Sequence, residues 1–183
     1  MSNPYDYNPV LDFWFVESTP EDWFAVSTDF DALIHARFAD VYAAAAAGEL
    51  WKWRKKPEGR LAEIIVLDQF SRNLFRNDPR AFAHDTMALA LAQEAVSIGA
   101  DAFLPEARRH FLYMPYMHSE SAAIHVEALR LFTLLGNDNA LDYEHKHKVI
   151  IDRFGRYPHR NKVLGRESTA EEEAFLTQPG SSF

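Results

Sequence analysis

Apolar residues along this chain recur at three- and four-residue intervals rather than alternating, and that spacing reads as helix almost from end to end. The clearest case is Phe30, Leu33, Ile34, Phe38, Val41 and Tyr42. They share one face of a helix that opens after Ser27 or Thr28 and stops at Gly48. Before it, Asn8-Pro9 opens a short helix through Phe15. Thr19-Pro20-Glu21-Asp22 opens the next, with a capping hydroxyl, a proline in the first turn and acids facing the positive helix end. The stretch from Arg60 to Phe70 is apolar nearly all round until Asp68, which predicts a central helix covered on every side. Asp78-Pro79 is expected to cap a helix running to Gly99, and Leu104-Pro105 to begin one ending near Met114-Pro115. Ser119 or a neighbour starts a helix that stops at Gly136, and a further one spans roughly 139–154, ahead of Gly155. Ser168-Thr169-Ala170-Glu171-Glu172 caps a last short helix that ends before Pro179, and the tail closes on Phe183, an aromatic that could dock.

No strand pair or hairpin turn interrupts this pattern. The expectation is an all-α fold of about eight or nine helices, packed as antiparallel neighbours through short loops, without a regular sequence repeat. The 183 residues fit a single domain, and 48% apolar residues are enough for a substantial interior.

Charge changes the picture more by its distribution than by its sum. The net of -8 argues against nucleic acid or an anionic membrane as a partner. Residues 1–51 carry nine acids and one base, whereas residues 145–166 carry seven bases and one acid. Such asymmetry can hold two segments together or make a local anion site on an acidic protein. With no cysteine, and no basic start or apolar stretch after Met1, the expectation is a soluble cytoplasmic protein.

Three polar constellations are candidates for chemistry. The first follows the central helix: Asp68, Gln69, Arg72, Asn73 and Arg76, with Asp68 and Arg72 four apart on one face. It is either a structural network or an anion grip. The second is His110 to Glu120, where aromatics and methionines could wall a pocket with His118, Ser119 and Glu120 at its rim; ordinary core packing reads the same way. The third is His147 to Arg166. There a helix turns His147 toward the interior, and Arg153, Arg156, His159, Arg160 and Asn161 crowd a bent loop. That loop is either an anion site or a basic segment paired with the acidic first 51 residues. His118 with Glu120 and His145 with His147 are two apart and point to different faces, so no metal is expected. No nucleophile elbow, phosphate loop or dinucleotide fingerprint occurs, and no cofactor is implied.

Several of these residues fall in longer motifs: Leu11-Asp12-Phe13-Trp14-Phe15, Trp23-Phe24, Phe30-Asp31, Gly48-Glu49-Leu50, Leu67 to Asn73, Met117-His118-Ser119-Glu120 and Arg153 to Asn161. In this order they resemble the domain-of-unknown-function 924 family of bacteria and some eukaryotes, from about residue 10 to the C-terminus. The resemblance implies a tetratricopeptide-like helical fold and no established activity. Its motif positions map onto Asp68, Gln69, Arg72, Asn73, His118, Glu120, His147, Arg153, Arg156, His159, Arg160 and Asn161. Two positions depart from the pattern: His125 stands where Gln is expected, and Ser71 where Pro is common.

Three functional readings follow. One is a pocket for a small phosphate- or carboxylate-bearing ligand, gripped by Asp68, Gln69, Arg72, Asn73, Arg76, Arg153, Arg156, His159, Arg160 and Asn161. In it His118, Glu120 and His147 carry acid–base work, and whether the protein is an enzyme stays open. The alternative is a module that binds a protein partner through an exposed apolar groove near Trp51 and Trp53. In the third, the polar motifs serve folding alone.

Overall fold

The computed structural model describes residues 6–182, so the docking expected of Phe183 lies outside the described residues. Ten α-helical segments follow one another: α1 (Asn8–Asp12), α2 (Pro20–Phe24), α3 (Thr28–Ala46), α4 (Pro57–Ile65), α5 (Ser71–Leu74), α6 (Asp85–Ser97), α7 (Glu106–Met117), α8 (Ala122–Leu135), α9 (Asp138–Phe154) and α10 (Ala170–Leu176). A π-helical turn, Val66–Phe70, joins α4 and α5 into one rod, so the described residues hold nine helices and no strand. A second π-helical turn, Phe13–Glu17, prolongs α1. Helix packed on neighbouring helix in this way is a tetratricopeptide-like fold.

The ends of these helices follow from local chemistry. Thr19 and Asp22, and again Thr169 and Glu172, form reciprocal capping boxes that satisfy two otherwise orphaned N–H groups at each helix start. Ser27 and Asn137 cap α3 and α9 with their side chains. Gly155, at φ +67°, ends α9 in a left-handed turn that suits glycine, and the chain leaves there as the bent basic loop. Two boundaries differ from the sequence reading. Pro79 opens only a 3-10 turn, Pro79–Phe82, and the helix proper starts at Asp85. Helix α7 runs through Pro115 to Met117, because Tyr113, Met114, Tyr116 and Met117 are all buried and their packing outweighs the proline's lost hydrogen bond.

The chain falls into two compact units. The first takes in Met1–Arg76 and Arg80–Pro115, the second Asn77–Pro79 and Tyr116–Phe183. In the first, the α4–α5 rod is central as expected: every residue from Leu61 to Ser71 is buried. Helices α1 and α6 pack on α4, and α3 packs on the π-helical turn and α5. Aromatic rings fill the space between. Phe70 meets Phe13, Trp14 and Phe38 at centroid distances of 4.9–6.0 Å, and Phe111 meets Trp14, Phe15 and Trp23 at 5.0–5.5 Å. Trp53 belongs to this core, while Trp51 stands exposed. Among the described residues no helix is long and apolar enough to cross a membrane.

One close approach sets the entry of the rod. A Cβ added to Gly59 would lie 2.2 Å from the carbonyl oxygen of Trp53 and 2.8 Å from its carbon, both main-chain atoms. Gly59→Ala, which relieves a helix interior by about 1 kcal/mol elsewhere, is here expected to destabilise by about 2 kcal/mol net. Urea unfolding of the variant checks this; a stabilised variant would contradict the close approach.

In the second unit α8 and α9 lie along each other across the two-residue turn Gly136-Asn137, which reverses the chain. Ile150, Ile151 and Tyr157 form a buried cluster, with Phe154 and Phe175 against it. The loop after α9 is thereby anchored on α9 and α10.

Candidate functional site

The first constellation lies in the first unit and is tied up by carboxylates. Arg72 donates to both oxygens of Asp85 at 3.0 Å, lies 3.4 Å from Asp68 Oδ1, and also donates to the Asp68 carbonyl. Arg76 donates to both oxygens of Asp31 at 2.7 Å, and Asn73 adds a third bond to Asp31 at 2.8 Å. Burial pushes the Asp31 carboxyl up, but these hydrogen bonds and the charge of Arg76 outweigh it and hold the group below its ordinary value. Gln69 donates to the Asp68 carboxylate and approaches Met114 Sδ at 3.6 Å. Asp68 and Gln69 ride on the π-helical turn, a local irregularity that often marks functional positions.

The second unit brings most of the remaining candidates around Tyr157, whose side chain is fully enclosed. Its hydroxyl donates to the Met117 carbonyl at 2.5 Å, and its main-chain N–H donates to Glu120 at 2.7 Å. The rings of His147 and His159 each stand 5.6 Å from the Tyr157 ring, and that of His125 stands 6.4 Å away. The Arg160 guanidinium lies 4.6 Å over the same ring. His118, half-buried, has its ring 6.5 Å from that of His147.

His147 and His159 are held neutral by where they sit. Burial lowers His147 to about 3, aided by charge at His118, His125 and Arg160 and opposed by its hydrogen bond to the Tyr143 main chain. That bond, 2.8 Å from Nδ1 to a carbonyl oxygen, requires the proton on Nδ1, so the lone pair of the neutral ring is on Nε2. Burial and the Arg160 charge lower His159 to about 4, against the pull of Glu120 and a main-chain bond to Ser181.

Other predicted residues here act as braces. Glu120 takes Arg166 in a two-pronged bond of 2.6 and 2.9 Å. Burial pushes its carboxyl up, but the Arg166 and Tyr157 bonds and the charges of Arg166 and Arg160 hold it below its ordinary value. Asn161 accepts from Arg166 Nε at 2.9 Å and donates to Ser168 at 3.1 Å. Arg156 clasps Glu172 at 2.7 and 2.8 Å, and with the Thr169 cap this draws the Glu172 carboxyl down to about 2. Arg153 reaches Glu171 at 2.8 Å and lies over Phe154 and Phe175. Arg153, Arg156 and Arg166 thus find carboxylates within their own unit.

Two buried pairs escaped the sequence reading. Glu63, wholly buried, accepts from Arg54 Nε and Nη2, both at 2.7 Å. His125 and Glu144, also wholly buried, meet at 2.7 Å, and His125 Nε2 lies 2.9 Å from the Ser119 carbonyl and 3.3 Å from the Tyr157 hydroxyl. Burial raises the Glu144 carboxyl against the pull of His125. The signal for Glu63 was an acid inside a stretch otherwise apolar all round, which demands a partner. Among the described residues no three of His, Cys, Asp and Glu are grouped as a metal ion would need.

Fold and site together define an all-helical protein with a polar cluster around one buried tyrosine. The chain belongs to the family described as bacterial protein of unknown function, DUF924, whose model matches residues 10–180. It is similar to the solved structure of a protein of unknown function from Agrobacterium tumefaciens. The two are 39% identical with a TM-score of 0.88, over 93% of this chain and 96% of that one. No curated protein matches it.

Proposed function

We propose that this protein binds a small anionic molecule, carrying a carboxylate or a phosphate, at Arg160 in the second unit, with histidines beside it to move protons. The supporting observation is the place of the Arg160 guanidinium: almost wholly buried, stacked on the Tyr157 ring, with its charge felt by both His147 and His159. A guanidinium offers a planar fork to carboxylate and phosphate oxygens, and the ring under it holds that fork in place. Burial does most to lower His147 and His159; an anion placed there offsets the part that comes from the Arg160 charge, and the proton affinity of both rings rises. His118, half-buried, stands next to His147.

A thermal-shift screen of phosphorylated metabolites and organic acids tests this on the native chain and on Arg160→Met. At a hundredfold excess over Kd, a bound anion stabilises by about 2.7 kcal/mol, which raises the Tm of a chain this size by roughly 5–10 °C. The rise is expected in the native chain and not in a folded Arg160→Met variant. No shift with any anion, or an equal shift in the variant, overturns the proposal.

A further inference from the structure

His159 Nδ1 is buried and has no hydrogen-bond partner among the described residues. The hydrogen bond of this ring to the Ser181 main chain therefore falls on Nε2. In the neutral ring that leaves Nδ1 as an acceptor, with its lone pair directed into the protein. A buried acceptor left unsatisfied costs about 1–3 kcal/mol, and native proteins seldom tolerate one without a guest, a water or an ion to fill it. The ring carrying it lies 5.6 Å from the Tyr157 ring, over which the Arg160 guanidinium stands at 4.6 Å, and the Arg160 charge bears on it. An anion seated on Arg160 is thus next to an acceptor that its charged oxygens cannot satisfy, because they too are acceptors.

We infer that the anion carries hydroxyl groups besides its charge, as hydroxy acids and sugar phosphates do, and that one hydroxyl donates to His159 Nδ1. This rests on the anion site proposed above and names its substrate class. A hydroxyl fits better than an ammonium group, because the Arg160 charge bears on the His159 ring more strongly than the opposing charge of Glu120, and Arg166 adds to it.

Calorimetric titration of the native chain with matched series tests the inference: malate, succinate and aspartate; glycerol 3-phosphate and propyl phosphate; gluconate and hexanoate. A site built to pair a hydroxyl discriminates strongly against the analogue that lacks one. In at least one series the hydroxylated member is expected to bind ten times more tightly or better, with malate ahead of both succinate and aspartate if that series binds. His159→Leu is expected to level the members of the series; if that variant fails to fold, the comparison on the native chain still decides. Equal binding of hydroxylated and plain anions overturns the inference and leaves the anion site standing. Failure of every anion, here and in the wider screen, overturns the site itself and the inference with it.

Discussion

Arg54→Met is expected to lower the stability of the protein by about 4 kcal/mol, because it strands Glu63 as an unpaired charge in the core. Glu63 is wholly buried in the α4–α5 rod, and both its oxygens accept from Arg54. Removing the cation leaves the carboxylate neither solvated nor paired. The measurement is guanidinium chloride unfolding of the native chain, Arg54→Met, and the double variant Arg54→Met with Glu63→Met. Replacing both members of a buried pair by apolar groups is often close to neutral, so the double variant is expected to recover most of the loss. A single variant within about 1 kcal/mol of native would mean that the pair is not dry.

Acid weakens the protein through His147 and His159. Both have folded-state values below the ordinary 6.5, at about 3 and about 4. Between those values and 6.5 the unfolded chain binds more protons than the folded one, so stability falls as pH falls. The full contribution is present above pH 6.5. The loss begins there and continues until about pH 4 for His159 and about pH 3 for His147. At pH 5 the two groups together account for about 4 kcal/mol, from 1.36 kcal/mol per unit over the interval below 6.5 for each. Glu144 works the other way, since a raised carboxyl takes up its proton first in the folded state and gains stability as pH falls. The comparison is therefore of native chain against His147→Gln with His159→Gln, each unfolded by denaturant at pH 7 and pH 5. The native chain should lose about 4 kcal/mol more than the double variant; equal losses would contradict the burial of the two rings.

Helices were legible in the sequence where local chemistry decides them. The caps at Thr19, Ser27 and Thr169 and the stops at Gly136 and Gly155 depend on residues within one turn, and the structure has them all. The central, buried rod was legible too, from an apolar run with no polar face. The π-helical turns were not, because they are decided by packing, and in the rod, buried on every side, no polar face exists whose phase would reveal an extra residue. Pro115 misled by two residues, since local propensity yields to burial of the side chains around it.

Residue types at the candidate site were legible, but their partners were not. A row of arginines looks the same in sequence whether each meets a carboxylate or a ligand. Asp31 lies 45 residues before Arg76, and Glu120 lies 46 before Arg166, so only the folded chain reveals those pairs. They bind Arg76 and Arg166 into braces, as Asp85, Glu171 and Glu172 do for Arg72, Arg153 and Arg156. The buried His125–Glu144 pair went unnoticed because an imidazole and an acid 19 residues apart give no periodic signal. His125 stood out only as a departure from the motif the chain resembles.

The proposed function needs His147 and His159 to be neutral beside Tyr157 and Arg160, and histidine side-chain 15N NMR at pH 5.5 tests this most directly. Both rings are expected to be neutral, His147 with its proton on Nδ1 and His159 with its proton on Nε2. Imidazolium signals from these two rings at that pH, titrating near the ordinary 6.5, would contradict it.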